Sequence, residues 1–441
     1  MTTDSGGTLV RALGRRDLTA FAVNRVIGGG IFGLPAVLYA SVGPTSVLAV
    51  LLAALVILGI TLCFAEVGSS FRETGGPYLY AYDTFGPAVG FEVGWLMWIT
   101  QLGGFAAVTN LFVNYIGWFV PVVTAGPWRI IIISLLVIVL TTVNILGVRR
   151  AAYVNNLLTI AKLAPLALFV LVGTFCVDRT LFVPGTLPTA AALSGAVLMA
   201  IYAFSGFEVL GVPSGEVKDP ARTIPFALLS GLAIVAVTYA GVQFVAVGTL
   251  PDLGNSARPL ADAAERAFGP AGALLMVMGA LLSTLGAAHA ILLGAGRMPF
   301  AMAERHQLPA GIAAVHRRFR TPYVGLVVSS VGMLVFTIVT TFASALTITV
   351  GLRVIIYIVT CAALPVLRRR PGAVAPAFRA PGGPVLALLS IGVAIGLLGS
   401  RPWSETLQLL AVLAAGLVLW VGFGRAGRRT AAPATTSSTR S

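Results

Sequence analysis

The chain has 441 residues, 57% of them hydrophobic and only 10% charged. Soluble domains carry roughly 25% charged residues, so this composition excludes a soluble globular protein and points to one embedded in a bilayer. The net charge of +14 does not argue for nucleic acid, because the basic residues fall in short loops between apolar stretches, where they set topology.

In chain order, residues 1–16 read as a polar cytoplasmic tail without a cleavable signal. Span 1 covers about 18–41 and span 2 about 45–68. The connection Phe71–Pro87, rich in aromatics, Gly and Pro, predicts a loop or short helix lying at the membrane interface. Span 3 is about 88–119, span 4 about 129–147 and span 5 about 155–176. A loop with Asp178, Arg179 and Pro184 leads to span 6, about 190–212, and span 7 follows at about 225–249. Leu260–Phe268 has the pattern of a short amphipathic helix. Span 8 is about 270–296, span 9 about 322–342 and span 10 about 344–366. Spans 11 (about 385–400) and 12 (about 405–423) close the chain before a disordered tail, 424–441. Cys63, Cys176 and Cys361 lack metal-ligand spacing and read as small hydrophobes. Neither a cofactor nor a metal is expected.

With twelve spans and the N-terminus inside, 22 of the 29 basic residues fall on the cytoplasmic side, Arg11, Arg25, Arg297 and Arg368 among them, and 5 on the other. Lys162 and Arg353 fall within spans. Missing one early span would collapse this asymmetry, so it supports the count, an inner-membrane location and cytoplasmic termini.

Two spans carry a weak point. Span 1 holds Gly28, Gly29, Gly30 and Gly33 within six residues. Each helix-interior glycine costs ~1 kcal/mol relative to alanine, so this stretch is expected to open. Opened backbone survives in a bilayer only where protein or a water-lined cavity satisfies it. The alternative for Gly29 and Gly33 is close helix packing. Span 6 has Ser205-Gly206 beside the ionisable Glu208. The two spans lie five apart, an odd number, so a repeat of that size enters the membrane inverted. Interrupted spans at matching places in two inverted halves point to a transporter binding site.

The motifs Ile27-Gly-Gly-Gly-Ile-Phe-Gly33, Glu73-Thr-Gly-Gly-Pro-Tyr-Leu-Tyr80, Phe204-Ser-Gly-Phe-Glu208, Glu216-Val-Lys-Asp-Pro-Ala-Arg-Thr-Ile-Pro225 and Arg297-Met-Pro-Phe-Ala-Met-Ala-Glu-Arg-His-Gln-Leu-Pro309 follow one another along the chain. In content, order and spacing the chain is similar to the amino acid–polyamine–organocation (APC) transporter superfamily. The resemblance implies an all-α membrane protein of about twelve helices. Residues 17–176 would form one repeat of five spans and 190–367 its inverted copy, with two further helices over 385–423. This is the LeuT-like 5+5 fold with broken helices 1 and 6.

It also implies roles. Ile27, Gly28, Gly29 and Gly30 would bind a substrate carboxylate through backbone amides, although many relatives carry Ser where Gly29 stands. Phe204, Ser205 and Gly206 would expose carbonyls to its α-ammonium. Tyr202 falls at an aromatic gate and Gln101 at a side-chain contact. Lys162 matches the span-5 lysine that replaces sodium in proton-coupled relatives; an ammonium at that depth must pair or give up its proton, unless it snorkels to the surface. Glu208 would carry protons or hold the broken helix. Ser283 or Thr284 would face Lys162, while His289 reads as a packing residue. Arg353, to which the resemblance gives no role, would pair with Glu92 or Glu208 or lie near a cytoplasmic-side cavity.

The expected function is secondary active transport of an amino acid with a neutral side chain, driven by protons, by a monomer or homodimer whose partners are substrate, protons and lipid. Exchange of amino acids or amines, or cationic amino acid or polyamine transport, is the alternative. An embedded enzyme would need clustered acids or a nucleophile–base pair, which the spans lack, and a channel would not need two paired breaks.

Overall fold

The computed structural model describes residues 9–183, 187–256, 258–371, 375–399 and 403–430, with the side chains of 342–348 and 424–430 outside that description. The first eight residues of the expected N-terminal tail, Pro184, Arg401 and residues 431–441 of the expected C-terminal tail therefore lie outside the described residues.

The first apolar stretch forms two short helices, α1 (Arg15–Val26) and α2 (Leu34–Val42), separated by a 3-10 turn at Gly30–Phe32. Then come α3 (Ser46–Ser69), α4 (Pro77–Phe85), α5 (Pro87–Gly117), α6 (Gly126–Ile145), α7 (Val148–Gly173) and α8 (Ala190–Ala203). A 3-10 segment, Phe207–Gly211, follows α8, and the chain continues through α9 (Pro220–Thr249), α10 (Pro259–Phe268), α11 (Pro270–Ala295), α12 (Arg297–Glu304), α13 (Tyr323–Val339), α14 (Phe342–Arg369), α15 (Gly383–Gly399) and α16 (Trp403–Thr430). Among the described residues, extended backbone pairs only at one bridge, Leu13 with Val217.

By length and composition, nine stretches of the described residues are apolar enough to cross a membrane, and two shorter helices, Tyr323–Val339 and Gly383–Gly399, are apolar as well. The break denies span 1 a place of its own among the nine: α1 has 12 residues, and α2 is counted together with α3 as Leu34–Ser69. Apolar side chains such as Leu135 and Ile138 on α6 and Leu417 and Val418 on α16 point outward, as a hydrocarbon surround requires. The protein is a multi-pass, all-helical membrane protein.

Three local features differ from the sequence reading. The helix α7 starts at Val148, ahead of the expected 155, so Lys162 sits in mid-helix. The connection after α3 forms the short helix α4, whose Tyr78, Leu79, Tyr80 and Ala81 are buried, packed against α5 and α14. The C-terminal helix α16 continues to Thr430. Gly-Pro pairs start α4, α5 and α11; the glycine takes φ of 56°, 95° and 74° in turn, and the proline opens the helix.

The broken α1 lies at the centre, against α7, α9 and α11, while α5 packs on α11, α13 and α14. The end of the bundle at which α1 starts is latched. The Glu216 carbonyl accepts from the amides of Ala12 and Leu13, and the Lys218 amide donates to Leu13. Arg297, counted with the cytoplasmic side from sequence, is fully buried there, and its Nε and Nη2 both bond the equally buried Glu216 carboxylate.

Candidate functional site

At the first break the α-helical ladder ends with the Ile27 amide donating to Val23 at 2.8 Å. Ile27 then turns to φ −75°, ψ 93°. The N–H groups of Gly28, Gly29 and Gly30 find no hydrogen-bond acceptor among the described residues. A helix end also leaves carbonyls without partners, and here a lysine takes them. From α7, the buried Lys162 ammonium donates to the carbonyls of Asn24 (3.4 Å) and Ile27 and to that of Ser283 on α11 (3.2 Å). The Ser283 hydroxyl donates to the Gly28 carbonyl at 2.9 Å. Three ammonium donors meet three acceptors, at the negative end of the α1 dipole. Among the described residues no carboxylate lies within ion-pair distance of Lys162.

The second break carries its own carboxylate, which residues of α14 in turn hold. Gly206 takes φ +122°, a conformation that favours glycine. A Cβ there would stand 2.6 Å from the Arg25 carbonyl, so the two breaks touch backbone to backbone. The Gly206 amide donates to Glu208 Oε2 at 2.8 Å, and the Tyr357 hydroxyl donates to the same oxygen at 3.2 Å. Glu208 Oε1 faces Arg353 Nε at 3.5 Å, and Arg353 Nη1 donates to the Ser205 hydroxyl at 2.7 Å. Phe204 is wholly buried against the Tyr239 ring, 5.1 Å between centroids. The Tyr239 hydroxyl lies 3.2 Å from the carbonyls of both Val26 and Ala203, one donor shared between the two broken ends.

The structure thus brings together Ile27, Gly28, Lys162 and Ser283, and beside them Ser205, Gly206 and Glu208. Gly29 faces Leu111 of α5 and the Thr284 methyl, and Gly30 is exposed. Thr284 turns its hydroxyl into its own helix and makes no bond to Lys162. Gln101 accepts from Arg25 Nη2 at 2.6 Å. Tyr202 lines a small cleft with Ser205, Arg353 and Tyr357. His289 bonds the Ala151 carbonyl at 2.9 Å, tying α11 to α7. Of the two acids considered for Arg353, it pairs with Glu208; Glu92 faces Gly416 on α16 instead.

Two residues escaped the sequence reading. Arg25 was counted with the cytoplasmic flank, yet it is buried in α1; its position inside an apolar stretch, three residues before a glycine triplet, was the available signal. Tyr239 is an aromatic in an otherwise apolar span, and nothing in its spacing announces a bridge between two distant helix ends.

Two facing breaks, bare glycine amides and a carbonyl-caged lysine make up the candidate site, which lacks the clustered acids of a metalloenzyme; among the described residues no His/Cys/Asp/Glu group could hold a metal. Comparison with known proteins gives the family. A family model described as amino acid permease matches residues 13–424. The chain is similar to a serine/threonine exchanger of Bacillus subtilis, 28% identical over 440 residues covering 96% of this chain and 98% of that protein. A methylthioribose transporter and a branched-chain amino acid permease of the same organism are 27% and 26% identical, each covering 95% of this chain and 94% of the relative. The chain belongs to the amino acid permease family of the APC superfamily, and is a transporter rather than an enzyme.

Proposed function

We propose that the protein moves an amino acid across the cytoplasmic membrane by alternating access, coupled to protons through Lys162. The carrying observation is the cage at the first break, where a buried ammonium without a carboxylate holds the free carbonyls of α1. Protonated, Lys162 fills three acceptors. Deprotonated, it has two hydrogens for three carbonyls, and its lone pair faces an oxygen. The end of α1 then loses part of its tether to α7 and α11, so protonation biases the position of the segment that carries Gly28–Gly30. Those amides would hold the substrate carboxylate, since bare N–H groups favour an anion, and the carbonyls around Ala203–Ser205 its α-ammonium. Ile27, Gln101, Tyr202, Phe204 and Gly206 would complete or support the pocket. Glu208 is read as holding the second break rather than carrying the proton, because an arginine and two hydrogen-bond donors already face it.

Twelve spans arranged as two inverted sets of five plus two fit the breaks at α1–α2 and after α8. The latch of Leu13, Val217, Glu216 and Arg297 supports reading this conformation as shut on the cytoplasmic side, with both termini there. A neutral side chain was expected because the pocket residues presumed on α5 and α11 include no acid; Arg25 bears on that expectation below. Exchange is the second reading, favoured by the name of one relative, a serine/threonine exchanger.

The test is uptake of labelled amino acids and amines into proteoliposomes with and without an inward pH gradient. Coupling predicts accumulation that collapses with a protonophore. Obligatory exchange predicts uptake that needs internal amino acid and ignores the gradient. An absence of flux across the whole panel would end the transporter proposal.

A further inference from the structure

Next to the two breaks lies a polar cluster that the sequence reading did not assemble, because it left out Arg25. Arg25 of α1 and Gln101 of α5 are both buried and share one bond, from Arg25 Nη2 to Gln101 Oε1. One helical turn along α5, the Arg353 guanidinium lies over Gly104, where a Cβ would stand 3.3 Å from Nη2. Glycine at that position leaves the arginine its room. The Arg25 backbone packs on Gly206, next to the Ser205 that Arg353 bonds, so both arginines border the same pair of breaks.

The cluster is short of acceptors and of negative charge. Gln101 Nε2, Arg25 Nε and Arg353 Nε are buried without a hydrogen-bond partner among the described residues. Two guanidiniums share one carboxylate, that of Glu208, and Oε1 of Glu208 makes no hydrogen bond. The other buried carboxylates with charged partners, Glu66 and Glu216, are committed to Arg368 and Arg297. Buried polar groups are normally paired, and an uncompensated buried charge is costly. A ligand that brings acceptors and a negative charge completes the cluster. A side-chain amide brings two donors along with its acceptor, whereas a carboxylate brings acceptors alone.

Building on the transport reading, we infer that the substrate is an amino acid with an acidic side chain, whose side-chain carboxylate is held by Arg25, Arg353 and Gln101. Its α-carboxylate and α-ammonium keep the places already assigned at the two breaks. The inference replaces the neutral side chain expected from sequence, which rested on a pocket without Arg25.

The experiment uses the full chain in proteoliposomes. Uptake and competition are measured for glutamate and aspartate against glutamine and asparagine, pairs that differ only in the side-chain carboxyl. The wild type is expected to prefer the acids by at least tenfold in apparent affinity. Arg25→Gln is expected to lower the glutamate-to-glutamine ratio at least tenfold while glutamine flux persists, which also shows that the variant is folded; Arg25→Lys is expected to restore part of the ratio. A wild type that transports neutral amino acids and rejects glutamate and aspartate overturns the inference whatever the variants do, while leaving transport standing. An unchanged ratio in Arg25→Gln, or equal loss of every substrate, overturns it too, the latter by assigning Arg25 to the common α-carboxylate. No flux of any amino acid overturns the transport reading and this inference with it.

Discussion

The two helix breaks meet at one point yet are held by opposite means. The second carries its own cap: Glu208 reaches back two residues to the Gly206 amide and is fixed there by Arg353 and Tyr357, and the positive-φ glycine is packed against backbone. The first is held from outside, by an ammonium on α7 and a hydroxyl on α11 that satisfy the end of α1. A break that carries its own carboxylate, already facing an arginine, keeps one geometry. A break capped by a lysine without a counter-ion has a geometry that one proton can alter. Under the proposed coupling, the contrast makes α1 the moving part and the turn after α8 the fixed part.

Substitutions can break this contrast, starting at the fixed side. Gly206→Ala puts a Cβ against the Arg25 carbonyl at a φ of +122°. Strain and overpacking together should cost about 3–5 kcal/mol, seen as a large drop in melting temperature or loss of the monodisperse peak in detergent. Near wild-type stability would mean that the turn is not fixed. Glu208→Gln keeps an acceptor for Gly206 and Tyr357 but leaves Arg353 without its charge. About 3 kcal/mol of stability should be lost, at the lower end of the cost of breaking a buried pair, while pH-driven accumulation persists in the folded fraction. Accumulation lost at unchanged stability would transfer coupling to Glu208. The smallest effect is expected at the bridge between the breaks. Tyr239→Phe removes one shared hydroxyl, worth about 1 kcal/mol, and should shift the melting temperature by a few degrees with transport retained.

How much of this was legible in the sequence follows from what each signal encodes. The glycines announced both breaks because their backbone cost is local, and Lys162 stood out because an ammonium in an apolar span is conspicuous wherever it points. Arg25 was lost because a topology count treats an arginine near a span's start as a flank and takes no account of the face it occupies. The partner of Arg353 was ambiguous because periodicity gives a residue's face but not the register between distant spans. The burial of the α4 tyrosines was not legible for the same reason: composition describes a surface preference, and the seating of α4 against α5 and α14 depends on register between distant helices.

The account turns on Lys162, and Lys162→Ala is its most direct measurement. In proteoliposomes with an inward pH gradient, this variant should lose accumulation above equilibrium while still equilibrating labelled substrate, since the Gly28–Gly30 amides remain. Accumulation at the wild-type level under the same gradient would contradict the account and remove the first break from the coupling mechanism.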